Sequence, residues 1–229
     1  APGGPRSAGF SDPDLDGDAD LAVAANEKRS ALAENQDGSL VNVDVSGVVS
    51  NESGHGQVIA DFTGDGLLDW FVTGVEGPED DRDWNFGETG NRLYVNNGGF
   101  QFHDETDPAN VRNAGWAWGA CAEDFNNDGY LDVFVENGFG HIPDGVRNRV
   151  PQAQLDSLEQ KLAGYENQRP RLFINNGDGT FTENGRSWSL SRQTRGRGVV
   201  CPDFDRDGDI DVVVAQNNGS PLVYENQLS

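Results

Sequence analysis

Methionine is absent from the 229-residue chain, cysteine occurs twice and histidine three times. Two cysteines close at most one disulfide, so a bridge framework cannot replace a hydrophobic core, and the redox compartment is left open. The histidines, His55, His103 and His141, are scattered. With no Gly-x-Ser-x-Gly elbow and no Cys/His pair at a marked spacing, no catalytic constellation stands out, and packing or surface roles are expected for them. No apolar run approaches the ~18 residues of a membrane-spanning helix, and no charged segment followed by an apolar one opens the chain. A chain that begins Ala-Pro-Gly-Gly without methionine reads as mature or excised, and secretion fits it. Basic residues are scarce as well. Sixteen Lys and Arg face 39 Asp and Glu, a formal charge of −23 that disfavours nucleic acid and anionic membrane surfaces and favours cations as partners.

Glycine, by contrast, is abundant. Thirty Gly and 10 Pro would suit disorder, but five Trp, 12 Phe and Val-rich runs supply enough apolar surface for a core, so a turn-rich β fold is expected. One pattern, Asp-x-(Asp/Asn/Thr)-x-Asp-Gly-x-x-Asp, occurs four times, at 12–20, 61–69, 124–132 and 203–211. A Gly-led apolar strand precedes each copy (GQVIADF, GACAEDF, GVVCPDF and, more weakly, AGFSDPD), and a β-rich run such as LLDWFVTG or IDVVVAQN follows. Third strands read from NRLYVNN, PRLFINN and PLVYENQ, and fourth strands from FQFHDET, TFTEN and LVNVDVS. Four short antiparallel strands per repeat is the pattern of a propeller blade.

The expected fold is therefore all-β: a propeller-like array of four four-stranded blades, approximately 7–54, 55–112, 113–190 and 191–229, the last incomplete. The loop starts lie 49, 63 and 79 residues apart, and insertions at 77–90 and 139–168 account for the longer intervals. Within the second insertion, PQAQLDSLEQKLAGY predicts a short surface helix, with Pro151 near its first turn and Leu155, Leu158, Leu162 and Tyr165 on one face. The last repeat is about one strand short. That leaves three readings open: a compact four-bladed ring, a fragment of a larger propeller, or a subunit completed by a neighbour's strand, which could build a filament.

The loops carry the chemistry. Oxygen ligands at alternate positions of a tight loop converge on one point when Gly at position 6 turns the chain sharply, and an all-oxygen set favours Ca²⁺ over Zn²⁺ or copper. The predicted ligands are Asp12, Asp14, Asp16 and Asp20; Asp61, Thr63, Asp65 and Asp69; Asp124, Asn126, Asp128 and Asp132; and Asp203, Asp205, Asp207 and Asp211. Position-7 carbonyls come from Asp18, Leu67, Tyr130 and Asp209, for up to four Ca²⁺. Polar turns without metal are the bland alternative for one such loop, and four matched copies weigh against it. Neutral Thr63 makes the second loop the weakest expected binder.

These loops, with GVVCPDFDRDGDIDVVVAQNNGSPLVYEN and RLFINNGDGTFTEN around them, resemble FG-GAP/VCBS repeats, the calcium-loop blades of integrin-type propellers. The stretch from ENGFGH through QRPRLFINNGDGTF is similar to the propeller of ASPIC/UnbV-type proteins. The resemblance implies a β-propeller, a secreted or cell-surface location, and calcium in the loops. It implies no reaction.

A non-catalytic, calcium-stabilised recognition, adhesion or scaffold module is the expected function, with a protein or glycan ligand that the sequence does not name. A self-assembling filament subunit is the runner-up, and a polysaccharide-active enzyme the least favoured reading. Asn51 and Asn218 begin glycosylation sequons. Cys121 and Cys201, each just ahead of a loop, either form a cross-blade disulfide or stay as buried thiols. Trp116 and Trp118 alternate on one strand and should share a face, and Trp84 lies in the polar insertion where a sugar could stack.

Overall fold

The computed structural model describes residues 4–26, 30–49, 53–77, 90–139, 142, 147–165 and 168–228. Asn51, Trp84, His141 and most of the first insertion lie outside the described residues.

Each repeat folds as an antiparallel meander. The first sheet contains β1 (Pro5–Ser11), β2 (Asp20–Ala25), β3 (Ala31–Gln36) and β4 (Ser39–Val43). The second contains β5 (Gly54–Ala60), β6 (Asp69–Gly74), β7 (Arg92–Asn96) and β8 (Phe102–Asp104). The third contains β9 (Ala117–Glu123), β10 (Asp132–Asn137), β11 (Arg171–Asn175) and β12 (Phe181–Glu183). The fourth has three strands, β13 (Gly196–Val200), β14 (Val212–Gln216) and β15 (Leu222–Tyr224), so β15 is an edge. The fold is thus an all-β, propeller-like array with a thin last sheet.

Consecutive first strands, β1 to β5 to β9 to β13, lie side by side and set the axis of the array. Their glycines permit this approach: a Cβ at Gly56 would come within 2.3 Å of the Trp118 carbonyl oxygen, and one at Gly119 within 2.8 Å of that of Arg197.

The core sits between sheets. Ala22, Ala24 and Leu32 of the first sheet meet Trp70, Val72 and Tyr94 of the second. Phe71 and Leu93 of the second meet Val133, Val135 and Phe173 of the third. Phe134 and Leu172 of the third meet Val212 and Val214 of the fourth. Because successive strand residues point to opposite faces, β6 buries Trp70 against one neighbour and Phe71 against the other, and all six of its residues are buried.

Helix α1 (Gln152–Leu162) starts after Pro151, and a 3-10 turn (Ala163–Tyr165) follows it. As its periodicity predicts, Leu155, Leu162 and Tyr165 are buried, with Leu158 beside them, against Val75, Trp116 and Phe139. The Tyr165 hydroxyl donates to the Glu76 carbonyl, tying this insertion to the second sheet.

Trp116 and Trp118 differ from the sequence expectation. Trp116 precedes β9, next to Gly115 at φ +102°, and packs edge-on to Tyr165, with ring centroids 5.3 Å apart. Trp118 lies on β9 and stacks on His55 at the axis, at 4.2 Å. The regular strand alternation begins only after Trp116, so the two rings reach different neighbours.

Cys121 on β9 and Cys201 after β13 form a disulfide, with Cα atoms 6.3 Å apart, that joins the third and fourth sheets.

Candidate metal centre

Each Asp-rich loop connects the first and second strands of its sheet, so all four lie at the end of the array where the first strands finish. The backbone is the same in each. Position 6 is a glycine in the left-handed region (Gly17, Gly66, Gly129 and Gly208, φ +88 to +100°), as the sequence requires. Position 4 is left-handed too, at Leu15, Gly64, Asn127 and Arg206. The sequence reading missed this, because three of the four residues there are not glycine. Two left-handed residues in three curl the loop and turn its first carboxylate toward the backbone.

The carboxylates organise the loop from inside. The position-1 aspartates accept the amide N–H of the position-6 glycine: Gly17 to Asp12 at 3.0 Å, Gly66 to Asp61 at 2.9 Å, Gly129 to Asp124 at 2.8 Å and Gly208 to Asp203 at 3.3 Å. The position-5 aspartates, Asp16, Asp65, Asp128 and Asp207, each accept the position-7 N–H at 2.9–3.0 Å. These bonds leave oxygen lone pairs to face one another inside the loop.

The last aspartate of each loop is the best buried, with Asp20, Asp69, Asp132 and Asp211 at most 1% exposed. Its Oδ1 accepts the backbone N–H of an asparagine at or near the end of the third strand: Asn35 (2.7 Å), Asn96 (2.9 Å), Asn175 (2.8 Å) and Asn226 (2.8 Å). In three loops Oδ2 accepts the N–H of Phe62, Phe125 or Phe204. In the first loop the matching residue is Pro13, which has no N–H, and Asp20 Oδ2 has no donor. Burial, reinforced by the other loop carboxylates, pushes Asp69 up to about 6 and Asp132 up to about 7, and raises Asp20 above the ordinary carboxylate range.

The donor chemistry fits a hard cation. One oxygen from each of Asp12, Asp14 and Asp20 lies within 4.8 Å of the other two, and Asp203, Asp205 and Asp211 form a second such group. Buried Asp20 Oδ2 and Asp203 Oδ1 lack any hydrogen-bond partner, as oxygens reserved for a metal would. In the second and third loops position 3 is Thr63 or Asn126, so fewer carboxylates gather there. Asp209 is committed elsewhere through its side chain, which accepts Asn127 Nδ2 and the Leu228 N–H, each at 2.9 Å. Asn218 is exposed in the β14–β15 turn at φ +66°.

A further repeated element, not legible in the sequence, lies beside the loops. The amides of Asn96, Asn175 and Asn226 each donate to a carbonyl of the preceding loop: Pro13 (2.7 Å), Phe62 (2.9 Å) and Phe125 (2.9 Å). These asparagines latch each sheet to the one before it.

The human and mouse proteins named Cartilage acidic protein 1 are 34% and 33% identical to this chain over 94 residues. That stretch is 41% of this chain but only 14% and 15% of those proteins, so the chain matches a small part of their length. The model of the FG-GAP-like repeat matches residues 12–72, 81–135 and 161–214, taking in all four loops and most of the strands around them. By that match, which covers well over half its length, the chain belongs to the FG-GAP-like repeat family.

Proposed function

We propose that the protein is a calcium-stabilised extracellular recognition or adhesion module, with Ca²⁺ bound by the side chains predicted in the four loops and the position-7 carbonyls. The observation that carries the reading is the convergence of Asp12, Asp14 and Asp20, and of Asp203, Asp205 and Asp211, around buried oxygens without donors. Bound calcium would offset the mutual repulsion of these carboxylates and stabilise the native state by mass action. Similarity to an acidic protein of cartilage supports the extracellular location, and the reading assigns no catalytic step. Isothermal titration of metal-stripped protein tests it: saturable Ca²⁺ binding with weaker Mg²⁺ binding is expected, and no saturable Ca²⁺ heat would overturn it.

A second reading, a subunit that assembles by strand exchange, is favoured by one observation. Beside the β15 edge lies an apolar cleft of about 550 Å³, lined in part by Phe134, Leu172, Trp188 and Tyr224, where Tyr224 Oη is buried without a partner. An extended segment of a second copy could pair with β15 and fill the cleft with alternate side chains. Light scattering over a concentration series tests this, and a monodisperse monomer throughout would rule it out.

A further inference from the structure

At the end of the array opposite the acidic loops, the described residues form a mouth with the reverse charge. The starts of β1, β5, β9 and β13 meet there around a mouth of about 490 Å³, within the size range of small-ligand sites. Arg6 and Arg197 line it, and among the described residues none of its lining is acidic, in a chain whose net charge is −23.

Arg197 is fixed in place. Its guanidinium lies 4.0 Å over the Trp118 ring, whose plane stacks on His55 at 4.2 Å. Its Nη1 donates to the carbonyls of Gly138 and Gly196. Among the described residues, Nε and Nη2 take no protein acceptor and no carboxylate ion-pairs with Arg6 or Arg197; buried Glu136 is the acid that acts on Arg197 electrostatically. With the Asn26 amide turned so that its oxygen faces Arg6, Arg6 Nη2 donates to that oxygen at 3.1 Å, which orients the second cation. His55 is buried, its Nδ1 lies 2.7 Å from the Ala117 carbonyl, and burial pushes it down to about 4, so near neutral pH it stiffens Trp118 without adding charge.

We propose that this axial mouth binds the carboxylate group of a small organic acid, with Arg197 Nε and Nη2 gripping both oxygens and Arg6 supplying the second charge. The side edge of a guanidinium matches the two oxygens of a carboxylate, and a concave mouth of single-signed charge concentrates anions. An aliphatic diacid and an acidic sugar present the same group. The site deepens the recognition reading above by naming a ligand class, but it lies away from the loops, so the acid titration and the calcium titration can fail separately.

Calorimetric titration of the calcium-saturated full chain with glutarate and with glucuronate tests the proposal, with glucose and inorganic phosphate as controls. Saturable binding of at least one acid is expected, and the stronger of the two identifies the aliphatic or the sugar source. Affinity should drop about tenfold in Arg197→Gln and in Arg6→Gln. Arg6 is exposed, so its variant should melt like the parent even if Arg197→Gln does not. Binding of neither acid, tighter binding of phosphate, or unchanged affinity in Arg6→Gln would overturn it.

Discussion

The two middle sheets and the two end sheets are built on one repeat yet are stabilised differently. In the second and third sheets β6 and β10 are buried along their whole length. In the first and fourth, one face of each sheet has a neighbour while the other leaves Phe10 69%, Leu40 49%, Val200 61% and Val223 54% exposed. The loops run the other way: the first and fourth carry four acidic ligand positions each, and the second and third carry three. The sheets with half a core thus hold the stronger candidate cation sites. On the proposed reading, apolar burial in the middle and metal in the end repeats would be two solutions to the same conformational-entropy cost.

Metal removal should break the comparison most visibly. Excess EGTA is expected to lower the melting temperature by more than ~10 °C, on the order of several kcal/mol by mass action. Amide exchange should accelerate first in β1–β4 and β13–β15. Equal loss of protection in β6 and β10 would mean that the middle sheets depend on metal just as much.

Core truncation tests the other half. Phe71→Ala, at a fully buried site between the second and third sheets, should cost about 3–5 kcal/mol in chemical denaturation with or without calcium. Val223→Ser on the exposed face of the fourth sheet should cost under ~0.5 kcal/mol. A large cost at Val223 would show that this face is covered in solution.

Glu136 on β10 sharpens the picture through pH. It is fully buried, Oε1 accepts the Gly196 N–H at 3.1 Å, and Oε2 has no partner. Burial pushes it up to about 7, so the native state holds its proton more tightly than the unfolded chain. Its effect on stability is therefore neutral below the unfolded value near 4.5 and becomes increasingly unfavourable as pH rises toward 7, levelling off above it. Glu136→Gln should gain up to ~3 kcal/mol at pH 8 and little at pH 4. Equal melting temperatures of parent and variant at pH 8 would contradict it.

The asparagine latches give a modest effect. Asn175→Ala removes the buried bonds from Nδ2 to the Phe62 and Leu131 carbonyls and should cost about 1–3 kcal/mol. Asn35 makes no such latch among the described residues, and its Oδ1 accepts the Gly38 N–H. Its alanine variant should cost under ~1 kcal/mol. A cost at Asn35 as large as at Asn175 would indicate that the first sheet latches to another in solution.

How much was legible in the sequence follows from how local each feature is. The loop spacing, the Gly-led first strands and the helix at 152–162 are patterns within a few residues, and the structure has them at those places. The left-handed position 4 was hidden because Leu15 and Arg206 give no sign of it. The separation of Trp116 from Trp118 was hidden because strand alternation was assumed one residue too early. The disulfide was one of two open readings, since nothing in the spacing of Cys121 and Cys201 says that their strands are neighbours across sheets.

The repeat, most of its strands, the Asp-rich loops and the acidity are written in the chain itself, because residue spacing and side-chain alternation act over one turn or one strand. Which faces share a core, which asparagine bonds to which loop, and the convergence of Arg6, His55, Trp118 and Arg197 at one mouth arise from the packing of the sheets. Those contacts join residues up to 113 positions apart, and sheet stacking, which no local pattern encodes, brings them together.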